Sequence, residues 1–250
     1  MTKRYFIELS YLGSHYHGWQ IQPNAITVQE VLNNALKLLF KTEIMVTGCG
    51  RTDTGVHAKQ FFAHIDLDME TVKFSLDQLS YKLNSLLPFD IAIHQIFESK
   101  TAAHARFDAT SRSYEYHLSL EKNPFNKELV YLSPYKHLDF TLMNDAAKIL
   151  FEYKDFECFS KSKTDVATFN CDIMKAQWEK KDDIWIFTIQ ADRFLRNMVR
   201  AIVGTLIEVG RGNMSVSEFK VVIESKNRSN AGWSVPGKGL FLTKIEYPYL

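Results

Sequence analysis

Cysteine is scarce and odd in number: Cys49, Cys158 and Cys171 are the only three in 250 residues. Their spacing fits neither a disulfide framework nor a zinc knuckle, so reduced thiols are expected and a structural metal is not. His15 and His17, two apart on what reads as a strand face, have no Cys or carboxylate motif to complete a ligand set. Long apolar runs are also missing, and a membrane-spanning helix would need roughly 18 such residues. The start, Met1-Thr2-Lys3-Arg4, is basic, but Glu8 interrupts the apolar stretch behind it, which argues against an export signal. A soluble cytoplasmic protein is the expectation. Excess charge of one sign is lacking too: 30 Lys and Arg against 29 Asp and Glu leave a net charge of +1. Any surface for a polyanion must therefore be a local basic patch.

With 46% hydrophobic residues, the 250-residue chain can bury a core in one large domain or two of common size. Lys3 to Ser10 reads as a strand. The capping box Thr27-Val28-Gln29-Glu30 opens a helix whose apolar positions, Val28, Val31, Leu32, Ala35, Leu36 and Leu39, recur at helical spacing as far as Phe40. Strands at 43–47 and 60–65, a capped helix from Ser75 to Leu87 and a strand from Ile91 to Phe97 complete a β-α-β-β-α-β order. The second half repeats that order. Its elements are a strand over 112–120, a helix over 141–151, strands over 167–179 and 184–190 around Lys181-Asp182-Asp183, a helix over 193–209 and a strand over 239–247. An extra capped helix, 215–225, is inserted before the last strand. The expected class is α+β, with two ferredoxin-like halves of largely antiparallel sheet, divided as 1–104 and 105–250. Residues 101–111 pass between the halves without Pro or Gly, so the sheets are expected to join or abut around a central catalytic cleft.

The chemistry concentrates in Gly48-Cys49-Gly50-Arg51-Thr52-Asp53-Thr54-Gly55-Val56-His57-Ala58, where one carboxylate stands between an arginine and a histidine. The three glycines permit positive φ in a tight loop. Asp53-Thr54-Gly55 by itself fits an ordinary turn equally well. The longer run from Gly50 to His57 resembles the catalytic-loop signature of the tRNA pseudouridine synthase A family, whose catalytic aspartate falls on Asp53. Gly13 to Gln22 with Thr27-Val28-Gln29, Ala105-Arg106-Phe107-Asp108-Ala109-Thr110, and Phe194 to Gly204 resemble the same family in the same order. The chain departs from the family pattern at Leu12, usually Asp, and at Cys49 and Thr54, where small apolar residues such as Ala are commoner.

The resemblance implies isomerisation of uridine to pseudouridine at positions 38, 39 and 40 of the tRNA anticodon stem-loop, without cofactor or metal, by a homodimer. Asp53 would be nucleophile or base, and either role needs an ionised carboxylate near a cation. The resemblance assigns that cation to Arg200, the second arginine of its motif, and places the active-site tyrosine at Tyr114. At ~100° per residue, Arg193, Arg196 and Arg200 would share one helix face opposite Leu195, Val199, Ile202 and Leu206, either a solvated face or a phosphate-binding stripe. Arg51 is a candidate for binding phosphate or expelling the target nucleotide. His57 is placed with the RNA-binding residues, although orienting the loop or packing are equally open to it.

Two other classes fit parts of the sequence. Asp-Thr-Gly is also the short signature of aspartic proteases, but one copy would require a symmetric homodimer, and Arg51 and His57 would disturb paired carboxylates. A non-catalytic RNA-binding module of ferredoxin-like units would be expected to carry aromatic residues on its sheet, whereas the richest polar sequence here is the Asp53 loop.

Overall fold

The computed structural model describes residues 2–68, 74–99, 103–162 and 166–250. In chain order its elements are β1 (Thr2–Tyr11), α1 (Val28–Phe40), β2 (Thr47–Gly48), β3 (His57–Asp68), α2 (Leu76–Leu86), β4 (Ile91–Glu98), β5 (Ser111–Ser119), β6 (Tyr131–Leu132), α3 (Phe140–Ile149), β7 (Ile173–Lys181), β8 (Ile184–Ala191), α4 (Met198–Gly210), α5 (Val216–Glu224) and β9 (Leu240–Glu246). Strand pairing is largely antiparallel, with short β6 running parallel to β5. The α+β class is observed. The chain forms two compact units, Met1–Thr110 with Leu242–Leu250, and Ser111–Phe241. Of the 101–111 connection, residues 101 and 102 lie outside the described residues.

In the first unit the strand order is β4-β1-β3-β9, with β2 also paired to β3. β1 is flanked on both sides, and Tyr5, Phe6, Ile7 and Leu9 are buried. Thr27 caps α1 by accepting from the Glu30 amide, and Leu32, Ala35 and Leu36 face the core. Ser75 and Gln78 form a reciprocal capping box on α2. On α2, Asn84 donates to the Ile93 carbonyl at 2.8 Å and accepts from the Ile93 amide at 2.7 Å, tying the helix to terminal strand β4.

The strand expected at 43–47 is shorter, because helix side chains take its backbone groups. Asn33 Oδ1 accepts from the Val46 amide at 3.1 Å, and Gln29 Nε2 donates to the Val46 carbonyl at 2.7 Å. Only Thr47–Gly48 joins the ladder, although the burial of Ile44 and Val46 beside exposed Met45 keeps strand-like alternation.

The second unit has the strand order β5-β8-β7, with Tyr116, Leu118, Trp178, Phe187 and Ile189 in its core. Trp185 stacks on Phe140 of α3, with centroids 3.6 Å apart and planes 5° apart. Asn144 of α3 holds terminal strand β7 as Asn84 holds β4, through the Trp178 amide and carbonyl at 2.7 and 3.1 Å. The expected Ser215 capping box forms on α5. β7 begins at Ile173 rather than 167.

The helix expected from Arg193 begins at Met198. Asp192 Oδ1 accepts from the Arg193 and Asp172 amides, both at 2.7 Å, the Arg196 carbonyl accepts from the Lys161 amide, and Asn197 turns left-handed at φ 68°. Local side-chain bonds thus compete with the helix. Arg193 and Arg196 precede it, and the three-arginine helical stripe does not form.

Residues 103–110 are pinned within the first unit. Arg4 makes paired 2.7 Å bonds to Asp66 and donates to the Ala103 carbonyl, His64 Nδ1 accepts from the Ala105 amide, and Tyr247 donates to the Ala105 carbonyl. Asp108 accepts from the His104 amide and Tyr249 hydroxyl. Burial, then the charge of Arg4 and the neighbouring His104, push the His64 pKa down to about 4. An unfolded chain would take up this proton near ~6.5. The stabilisation is therefore complete above about pH 6.5 and falls as pH drops through about 4, with a slope of up to ~1.4 kcal/mol per pH unit from this group. His64→Asn keeps an acceptor for Ala105 without that titration. Urea denaturation between pH 7 and 4 is expected to show a shallower loss in the variant, and an unchanged slope would remove His64 from the acid response.

Candidate active site

The loop carrying Asp53 leaves β2 and re-enters the sheet as β3. Its glycines act differently. Gly55 has φ +76°, in a turn closed by the Val56 amide donating to the Asp53 carbonyl at 3.1 Å. Gly48 serves close approach instead: a Cβ there would lie 2.5 Å from the Trp19 indole. At Gly50 a Cβ would meet open space, and its φ is not positive.

The loop is held against the Gly13–Trp19 segment largely through main-chain groups. The Gly55 amide donates to the Tyr16 carbonyl, and the Trp19 amide to the Thr52 carbonyl, both at 3.3 Å. The Gly13 amide donates to His57 Nδ1 at 3.0 Å, so the neutral ring carries its proton on Nε2. The Tyr11 and Thr52 hydroxyls share a hydrogen bond of 2.9 Å. Trp19 itself stacks on Phe61 at 4.1 Å.

Thr52 and His57 are 8% and 1% exposed, whereas Asp53 is half-buried and Arg51 exposed. The loop thus uses its flanking residues as anchors and presents the carboxylate with an arginine two positions away. Of the roles open to His57, the geometry supports orienting the loop; so buried a ring offers almost no surface to RNA.

His15 closes a short 3-10 turn, Gly13–His15, not a strand face, and lies 3.4 Å from Asp90. Asp90 also accepts from the Tyr16 hydroxyl at 2.6 Å, and its carbonyl takes the Leu12 amide at 2.9 Å. Leu12 is 41% exposed. Among the described residues, no group of three or more His, Cys, Asp or Glu side chains is placed to hold a metal. All three cysteines are buried and unbridged. Burial is the leading cause that pushes the Cys158 and Cys171 thiols up to about 12.

In the second unit, Tyr114 lies half-buried on β5, edge-on to Phe194 at 5.2 Å and 90°. Arg200, in the first turn of α4, donates through Nε to the Val235 carbonyl at 2.6 Å. Arg193 is half-buried and donates to the Thr168 carbonyl at 3.4 Å, while Arg196 is exposed. Asp53, Arg51 and His57 belong to the first unit, and Tyr114, Arg193, Arg196 and Arg200 to the second.

A family model described as tRNA pseudouridine synthase matches residues 9–108 and 146–248. The chain belongs to that family. It is 55% identical over 246 residues to tRNA pseudouridine synthase A of Parabacteroides distasonis, covering 98% of this chain and 96% of the relative. It is 53% identical over 248 residues to the synonymous protein of Bacteroides fragilis, covering 99% and 97%, and 38% identical over 243 residues to that of Bacillus subtilis, covering 96% and 97%. The segments matched by the tRNA pseudouridine synthase model contain Arg51, Asp53, His57, Arg193, Arg196 and Arg200, and Tyr114 falls between them.

Sequence reasoning missed the Tyr11–Thr52 bond, the Gly48–Trp19 contact and the Val235 carbonyl. The first two are signalled only by aromatic residues before a glycine-rich loop, and a carbonyl acceptor carries no side-chain signal. Gly48→Ala would force Trp19 from its seat under the loop. Overpacking of this kind costs about 1–3 kcal/mol, so denaturant unfolding should show a lower midpoint at unchanged m-value; an unchanged midpoint would mean that the contact relaxes freely.

Proposed function

We propose that this chain converts uridine to pseudouridine at positions 38, 39 and 40 of the tRNA anticodon stem-loop, with Asp53 essential to the rearrangement. Membership of the tRNA pseudouridine synthase family makes it an isomerase. The observation that carries the residue assignment is the Asp53 loop, in which buried Thr52 and His57 flank a half-buried aspartate two positions along the chain from an exposed arginine.

The reaction breaks the bond from ribose C1′ to N1 of uracil, turns the base and joins C1′ to C5. The C5 proton leaves and N1 ends protonated. No electrons are gained or lost, so the overall conversion requires no redox cofactor. A carboxylate serves as nucleophile or as the base for a ribose proton. Asp53 takes this part, Arg200 supplies its cationic partner, and Tyr114 stacks on the uracil and moves the C5 proton. Arg51 assists extrusion of the base from its stack. Arg193 and Arg196 contact phosphates, which position RNA without reading its bases; His57 supports RNA binding indirectly, by setting the loop.

The reading of the chain as two ferredoxin-like halves rests on the order β1-α1-β2-β3-α2-β4, on its repetition as β5-α3-β7-β8-α4-β9 with β6 and α5 inserted, and on the strand orders β4-β1-β3 and β5-β8-β7, although most of β9 falls in the first compact unit. A cytoplasmic homodimer completes the proposal. No described helix is long and apolar enough to cross a membrane.

Release of tritium from tRNA labelled at uridine C5 tests the reaction, since neither a protease nor a passive RNA-binding module releases it. Asp53→Asn keeps the shape and removes charge and nucleophilicity, so turnover should be abolished with folding and tRNA affinity retained. Pseudouridine formation by Asp53→Asn, shown by mass spectrometry to be free of deamidated protein, would overturn the assignment. Tyr114→Phe keeps stacking without the hydroxyl and should lose roughly 10²–10⁴-fold in turnover if that hydroxyl moves the proton; full activity would reduce Tyr114 to a stacking role.

A further inference from the structure

Residues 228–236 run along α4 and touch it at three successive levels. At the helix start, Asn197 Nδ2 donates to Ser234 Oγ at 2.6 Å. Asn197 makes no side-chain cap bond to its own helix. One turn on, Arg200 and Val235 exchange two bonds: the Val235 amide donates to the Arg200 carbonyl at 3.2 Å, and Arg200 Nε donates to the Val235 carbonyl at 2.6 Å. Another turn on, the Gly232 amide donates to buried Thr205 Oγ1 at 2.9 Å. The approach there is backbone on backbone. A Cβ on Gly232 would lie 2.8 Å from main-chain atoms of Gly204 and Thr205, and one on Gly204 would collide with the Trp233 carbonyl.

Arg228 ties this segment together. Its Nη1 donates to the Gly232 carbonyl at 2.9 Å and the Ala231 carbonyl at 3.4 Å, and its Nη2 to Ser234 Oγ at 2.9 Å. A planar guanidinium suits three acceptors fanned along one chain, whereas a lysine ammonium has no such fork. Ser234 is the junction, since its hydroxyl receives both Arg228 and Asn197.

We propose that 228–235 is a strap that fixes the plane of the Arg200 guanidinium, and that Arg228 is a positioning residue for the reaction, acting through Ser234 and Val235. This rests on the reading that Arg200 serves the catalytic carboxylate. The Nε bond to Val235 sets the direction in which the two Nη groups point. Loosening the strap turns the guanidinium without removing its charge, and small misplacements of a catalytic group are costly.

The test uses tritium release by the full-length enzyme with tRNA, comparing Arg228→Ala, Arg228→Lys, Ser234→Ala, Arg200→Lys and the double variant Arg228→Ala/Arg200→Lys. Arg228→Ala and Ser234→Ala should lower kcat by about 10–100-fold with KM for tRNA nearly unchanged, and Arg228→Lys should not restore it. In the Arg200→Lys background, Arg228→Ala should have little further effect, because residues acting as one unit are not additive. Equal losses in both backgrounds, a raised KM with normal kcat, or a lowered melting temperature with normal kcat would each overturn the strap. Wild-type kcat in Arg200→Lys would remove Arg200 from the reaction and the strap's role with it. A slow Arg200→Lys beside a normal Arg228→Ala would overturn the strap alone. Should Arg228→Ala fail to fold, Ser234→Ala, which removes a single hydroxyl, carries the same comparison.

Discussion

The Asp53 loop depends on how the Gly13–Trp19 segment satisfies its backbone. Two carbonyls, at Tyr16 and Thr52, and three amides, at Gly13, Trp19 and Gly55, are paired across the two stretches. Buried backbone groups are expensive to leave unpaired. Neither stretch can therefore shift without exposing or stranding the other's polar atoms. The partners are mostly main-chain groups, and within the loop Gly48 and Gly55 are constrained by contact and by φ.

A similar logic divides the arginines. Arg200 sits in a helix buried nearly all round, and its Nε is held by a carbonyl. Arg196 stands exposed on an irregular turn whose carbonyl is tied to the Lys161 amide. One guanidinium is thus built on packed structure with a fixed acceptor, and the other stands on the surface.

What was legible in the sequence was whatever is encoded locally. Ser75-x-x-Gln78 and Ser215-x-x-Glu218 mark helix starts because donor and acceptor lie three residues apart, and both boxes form. The Asp53 loop was legible because its polar residues are contiguous and resemble a known family. Helix α4 was read as starting early because Arg193, Arg196 and Arg200 keep a helical period, and periodicity cannot register that Asp192 and Asn197 divert the chain. Ile44 and Val46 alternate like a strand, yet Asn33 and Gln29 from a preceding helix take the ladder's place. The return of Leu242–Leu250 to the first unit is fixed by partners such as Gln60 and Ala105, far away in sequence.

Asn84 and Asn144 each occupy both backbone groups of one residue on a terminal strand, Ile93 and Trp178. Open strand edges template intermolecular β-sheet growth. With a carboxamide seated in these positions, another chain cannot zip onto β4 or β7 there without first evicting it. Two uncharged side chains, neither near Asp53 in sequence, therefore act as stoppers against fibrillar association and confine any symmetric pairing of subunits to surfaces other than a shared ladder through those residues.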